Sequence, residues 1–177
     1  MTSFLALIGA SASTWEEDEV FYKRYEGLSA YHWDRIKAVY QMASDRGISP
    51  VLLEVDDEDA LLSWKIITPF EGTDEPPDAL LISVNLTRRI IRQKVDFLHR
   101  LGYAHGDLHI GNIGVTDEQD IVFVDFDTTF LIVEDRDQQW VKDWMNEGFD
   151  EDDYDAFVEY DWNTWETDFL SDTRDDD

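Results

Sequence analysis

Cysteine is absent from this 177-residue chain, and cations are scarce: 14 Lys and Arg stand against 41 Asp and Glu, for a net charge of −27. Without thiols there is no disulfide framework, no thiolate zinc site and no cysteine nucleophile. So negative a chain repels the phosphates of nucleic acid, which excludes direct DNA or RNA binding through bulk charge. No apolar run approaches the ~20 residues needed to span a bilayer, so no membrane partner is expected. What the chain does hold is aromatic: seven Trp, seven Tyr and ten Phe argue against global disorder. The length suits one domain, or one small core with an appended segment.

Charge is unevenly spread. Residues 1–133 carry 23 acidic and 11 basic side chains, whereas 134–177 carry 18 and 3. The last quarter is nevertheless patterned. Trp140, Val141, Trp144 and Met145 recur at helical spacing before Gly148, and Tyr154, Phe157, Val158, Trp162, Trp165 and Phe169 follow the acidic run Asp150–Asp153. This predicts acidic, Trp-rich helices over 138–170 and a frayed Asp175–Asp177 tail. At the other end, Phe4–Ala10 is apolar and runs into small residues, but no Lys or Arg precedes it. It reads as a buried first strand rather than a signal peptide, and the location expected is cytoplasmic.

The front part reads as mixed strand and helix. Strands are expected at Phe4–Ile8, Val20–Tyr25, Val51–Val55 and Leu61–Ile67, the last two forming a hairpin around Asp56–Asp59. Trp33, Ile36, Val39, Tyr40 and Ala43 share one side of a predicted helix, Tyr31–Asp45, closed by Gly47. Thr68–Pro77, with three prolines and Gly72, breaks the pattern. Beyond it Leu86–Leu101 reads as a long helix carrying Arg88, Arg89, Arg92, Lys94 and Arg100. The expected fold class is therefore α+β. Residues 1–72 form a sheet-plus-helix lobe, and 73–177 a reduced, mostly helical one.

Chemistry concentrates in His105-Gly106-Asp107-Leu108-His109-Ile110-Gly111-Asn112 and in Val122-Phe123-Val124-Asp125-Phe126-Asp127. Physically this is a helix, a polar loop, and an apolar strand ending in a carboxylate. Phosphoryl transfer needs a carboxylate to orient or deprotonate the attacking hydroxyl, and hard oxygen ligands for Mg²⁺. Asp107 suits the first task, and Asn112 and Asp125 suit the second.

Here the sequence resembles the protein-kinase-like superfamily, through an H-x-D-x-x-x-x-N loop followed by D-F-x at a strand end. The wording H-G-D-L-H-x-G-N-I is similar to that of aminoglycoside and choline kinases and of RIO-type and lipopolysaccharide-type kinases. Asp127, in place of the usual Gly of D-F-G, points the same way. The resemblance implies a minimal kinase-like fold that uses ATP and Mg²⁺. Asp107 is then the catalytic base, Asn112 and Asp125 the catalytic metal ligands, and His105 a residue pinning the loop. It implies further cofactor contacts. Lys23 falls where the family's third strand places a phosphate-binding lysine, with Asp34 as its partner because the helix holds no Glu. Gly9 and Ser11 lie in a reduced glycine loop, and Thr68 and Phe70 in the segment Ile66–Gly72, which falls where the family's hinge, about 68–72 here, holds adenine. The acceptor is an unknown hydroxyl, on a small molecule or on a protein Ser or Thr.

Plainer readings stand beside these. Lys23 is also a common way to protect an edge strand, Gly9 an ordinary turn, and Asp34 an acid favoured by the dipole in a helix's first turn. His109 supports the loop, and His32 and His99 are surface or packing residues. The reduced glycine loop and short lower lobe also fit a pseudokinase, an acidic module whose helices bind a basic protein. The acidity itself fits a high-salt cytoplasm, a surface for a basic partner, or mimicry of nucleic acid.

Overall fold

The computed structural model describes residues 4–70 and 84–131. The helices expected over 138–170, and residues 71–72 of the expected hinge, lie outside the described residues.

The chain opens with a short helix, α1 (Phe4–Leu7), where a strand was expected. A brief apolar run reads equally as buried strand or helix. Here Leu and Ala favour the helix, and the amides of Ile8, Gly9 and Ala10 bond back to Phe4, Ala6 and Leu5. Gly9, at φ +74°, ends it in the left-handed conformation that helix termini favour. The small residues that follow are not a loop but the start of β1 (Ser11–Glu17), which pairs antiparallel with β2 (Val20–Glu26). The two strands meet in a two-residue turn, Asp18-Glu19, with both residues at positive φ.

Helix α2 (Ala30–Asp45) follows, its first amides capped by the Ser29 hydroxyl, which accepts from His32 N. Trp33, Ile36, Val39, Tyr40 and Ala43 are its buried face, as the 3.6-residue spacing predicts. Strands β3 (Leu52–Asp56) and β4 (Leu61–Lys65) form the expected hairpin. The Asp56 carboxylate accepts from the amides of Glu58 and Asp59 at 2.8 and 3.2 Å, a local Asx arrangement that fixes the turn. The sheet runs β1-β2-β4-β3.

A second sheet is built from β5 (Thr68–Pro69), β7 (Ile113–Val115) and β8 (Ile121–Phe123). Between β5 and β7 lies α3 (Val84–Arg100), which buries Thr87, Ile91, Val95 and Leu98 along one stripe. Strand β6 (Tyr103–Ala104) pairs with β9 (Phe130–Leu131), bracketing residues 105–129. One apolar cluster joins these parts, from Tyr25, Ile36 and Leu62 through Phe70 and Ile91 to Phe123 and Phe126. Each such large side chain contributes about 1.5–3 kcal/mol by leaving water, so the two sheets and α2 are held as one body. The architecture is α+β, small antiparallel sheets with a few helices, and it is that of a minimal kinase-like fold. Among the described residues no helix is long and apolar enough to cross a membrane.

Candidate active site

Gly106 starts the site. It adopts φ +82°, and a Cβ there would stand 2.8 Å from the Thr128 carbonyl oxygen. Glycine thus lets the loop after β6 press against the segment after β8. His105 beside it is fully buried, and its Nε2 meets the Val124 carbonyl at 3.0 Å. The hydroxyls of Thr128 and Thr129 donate to the His105 carbonyl at 2.9 and 3.0 Å. His105 therefore ties the loop to the strand end.

Asp107 comes next and is half-buried. Burial raises its pKa above the usual carboxylate value, opposed by His109 and His105 and reinforced by the charge of Asp125. His109 caps the following 3₁₀ turn (Ile110–Asn112) by accepting from Gly111 N at 3.1 Å; its Nε2 lies 3.9 Å from the Asp107 carboxylate. Asn112 is buried and donates its side-chain N–H to the Asp107 carbonyl at 2.7 Å. Its amide donor is thereby engaged, and its Oδ1 is left as an acceptor.

After β8 the chain reaches Asp125, a non-glycine residue held at φ 60°, ψ 59°. This sparsely populated left-handed conformation persists only where neighbours enforce it. Here Val124 N donates to Asn112 O on one side, and on the other Phe126 N donates to the Tyr40 hydroxyl of α2. The Phe126 ring packs between Tyr40 and His105, 5.6 and 4.7 Å away. One aromatic thus couples α2 to the loop.

These elements enclose a cleft of about 280 Å³. Its upper wall carries Thr14, Glu16, Phe21 and Lys23 from β1 and β2, with Phe21 stacked on Trp64 at 5.3 Å. Ile66, Ile67 and Pro69 close the back, and Asn112, Val124 and Asp125 form the opposite wall. Asp107 does not line the cleft itself.

Lys23 is buried, and its Nζ lies 2.7 Å from Asp125 Oδ1 and 2.7 Å from Asp127 Oδ2. Burial opposes its charge, yet Tyr40, Asp127 and Asp125 outweigh that and hold the ammonium well above the ordinary lysine value. Partial burial likewise works against the Asp125 carboxylate, but Lys23 prevails and lowers its pKa. For Asp127 the balance is the reverse. Burial and the neighbouring Asp125 charge raise it, against Lys23 and the Tyr25 hydrogen bond.

Lys23, Asn112 and Asp125 therefore meet in one cleft, with Asp107 attached through Asn112. Other expected residues do not join them. The Lys23–Asp34 pair is not formed. Asp34 is exposed and binds Lys37 at 3.0 Å, three residues on along α2, because it lies on the face of that helix turned away from the buried Trp33–Ile36–Tyr40 stripe. Gly9 and Ser11 lie outside the cleft lining, Gly9 in the turn after α1 and Ser11 at the outer end of β1. Nor is Lys23 on a third strand: among the described residues only β1 precedes β2.

Within the expected hinge segment, Thr68 and Phe70 do not line the cleft. Phe70 is buried in the core and donates its amide to the Ile113 carbonyl at 3.0 Å, while Thr68 pairs with Val115. Those backbone groups serve β7, and Ile66 and Ile67 face the cleft instead.

Sequence reasoning missed Tyr25, Tyr40 and Asp127 as a unit. The Asp127 Oδ1 accepts from Tyr25 at 2.6 Å and from Tyr40 at 3.2 Å. A signal existed. Tyr25 shares the Lys23 face of its strand by the two-residue period, Tyr40 lies on the buried α2 stripe, and Asp127 had displaced a glycine.

For a divalent cation the donor set is Asn112 Oδ1 and the Asp125 carboxylate. Among the described residues no group of three or more His, Asp or Glu is arranged to hold one. Two oxygen ligands still fit Mg²⁺, which takes one or two protein oxygens and completes its shell with water and phosphate.

The fold and this loop-and-strand arrangement define a protein-kinase-like molecule. Residues 76–160 match the family described as ABC1 atypical kinase-like domain, which places the part carrying Asp107, Asn112 and Asp125 in the protein-kinase-like superfamily. No curated protein matches the chain.

Proposed function

We propose that this chain is a cytoplasmic, ATP- and Mg²⁺-dependent phosphotransferase. It moves the γ-phosphoryl group to a hydroxyl, of a small-molecule alcohol in the first instance and of a protein Ser or Thr by the same chemistry. The reading rests on one observation: Asn112 engages its N–H on the Asp107 carbonyl, which leaves its Oδ1 as an acceptor in the same cleft as the Asp125 carboxylate and Lys23.

Bound Mg²⁺ would supply charge neutralisation on the triphosphate, held by Asn112 and Asp125. Lys23 donates to the phosphates. Asp107 orients the acceptor hydroxyl and takes its proton as the new O–P bond forms and the bond to the ADP oxygen breaks. The raised pKa of Asp107 suits a base. Catalysis by such a site is mostly positioning and electrostatics.

One feature favours a second reading, a pseudokinase that binds a basic protein through its acidic C-terminal segment. Glu16 lines the cleft and Lys23 is engaged by two carboxylates, so the cleft walls carry more negative than positive charge.

Thermal melting with ATP, in Mg²⁺ or in EDTA, together with ATP turnover, separates the two. Ligand at 100 Kd adds about 2.7 kcal/mol to stability. The kinase reading expects that shift only with Mg²⁺, its loss in Asp125→Ala, and turnover that falls by about 10²–10⁴-fold in Asp107→Asn while the shift persists. A shift without turnover selects the pseudokinase, and neither shift nor turnover overturns nucleotide binding altogether.

A further inference from the structure

A buried lysine that meets phosphate must be held in place, and the carboxylates of α2 do not hold it. Asp34 binds Lys37, and Asp45 accepts from Gln41. Asp125 does reach Lys23, but its half-exposed carboxylate faces the cleft, and on the reading above it also serves a cation. Asp127 differs on every count. It is buried, does not line the cleft, and divides its two oxygens: Oδ1 takes the Tyr25 and Tyr40 hydroxyls, Oδ2 takes Lys23. The two tyrosines come from β2 and α2, so this one carboxylate fastens the Lys23 strand, the helix behind it and the segment after β8.

We propose that Asp127 is the positioning residue for Lys23, supplying from the segment after β8 the anchoring carboxylate that α2 lacks. The inference rests on the phosphotransferase reading, in which Lys23 donates to phosphate. Its geometry has a corollary. The helix communicates with Lys23 through the Tyr40 hydroxyl and Asp127 rather than by direct ion pairing, so a variant of Tyr40 reaches the lysine through the carboxylate, whereas the Tyr25 ring also lies under the ammonium at 5.4 Å.

The test uses the full chain, with the Mg²⁺ complex of ATP as probe. Binding is measured by calorimetry in the wild type, Asp127→Asn, Asp127→Glu and Tyr25→Phe. Folding stability is measured in a Lys23→Met, Asp127→Asn double-mutant cycle. Asn keeps an oxygen for the tyrosines but offers Lys23 no charge. Its expected effect is a Kd raised by about tenfold or more per folded molecule, with much of the loss recovered in Asp127→Glu. Tyr25→Phe, which leaves the charge in place, is expected to give a smaller loss and serves if Asp127→Asn does not fold. In the cycle, Asp127→Asn should cost the folding equilibrium about tenfold less once Lys23 is already Met.

Unchanged binding in Asp127→Asn, or additive stabilities in the cycle, overturns the proposal. Failure of the wild type to bind the Mg²⁺–ATP complex removes the phosphotransferase reading instead. The cycle then decides by itself whether Asp127 anchors Lys23, non-additivity upholding it and additivity ending it.

Discussion

Gly106 shows how much one side chain, or its lack, decides at the scale of a residue. An alanine there carries the cost of a positive φ, about 1–3 kcal/mol, and drives its methyl into the Thr128 carbonyl. Gly106→Ala is therefore expected to lower the unfolding free energy read from a urea titration by at least that amount. It should also abolish turnover even under conditions where the protein remains folded, because Asp107 follows directly. A denaturation curve paired with an activity assay checks both. At this scale the sequence was informative where a residue type has few alternatives. Asp107, Asn112 and Asp125 stand out by spacing; Asn112 and Asp125 line the cleft, and Asp107 sits behind them on the hydrogen bond from Asn112. The partner of Lys23 was misplaced because ion pairing depends on which residues a fold brings together across a hundred positions, and Asp34 was simply nearer in the chain. The same limit hid the Phe70 amide, whose acceptor, Ile113, lies far along the sequence.

Among the elements, α2 and the β3–β4 hairpin are joined by a surface staple. Trp33 Nε1 and Lys37 Nζ both donate to Asp57, at 2.8 and 2.5 Å. These hydrogen bonds lower the Asp57 pKa. A carboxylate whose folded pKa is depressed stabilises the fold above its unfolded pKa, and that stabilisation is lost as pH falls through the folded value. Acidification below about pH 4 should therefore loosen α2 from the hairpin before the core opens. Trp33 fluorescence is expected to report it as an early transition, and Asp57→Asn to erase that step. In the core beneath, Ile36→Ala is expected to cost about 2–5 kcal/mol in a denaturant titration, since Ile36 is fully buried. Elements of three or four turns with a clean stripe, α2 and α3, were legible almost to the residue. The short ones were not. Four apolar residues at Phe4–Leu7 carry no period, and a two-residue strand such as β5 exists only because β7 offers it hydrogen bonds.

For the molecule as a whole the deciding quantity is charge. A body of net charge −27 repels a free nucleotide at long range. Salt shortens that reach from about 30 Å at 0.01 M to about 8 Å at 0.15 M. The association rate of ATP should therefore increase across this range, the reverse of an electrostatically steered ligand, and increase less for the Mg²⁺ complex. Stopped-flow measurements at several ionic strengths check the sign. This property was fully legible in composition, because net charge needs no fold. The balance inside the cleft was not, because it depends on two carboxylates turning inward onto one lysine.

The turn between β1 and β2 holds Asp18 and Glu19 at φ 51° and 64°, where an Asn-Gly pair fits with far less steric conflict. Replacing the pair with Asn-Gly is expected to delay melting while removing two anions from the turn that joins the cleft-lining strands β1 and β2. If nucleotide capture quickens in the same variant, the ribbon's tip acts as a charged gatepost. Its composition then reflects the traffic it filters rather than the bend it makes.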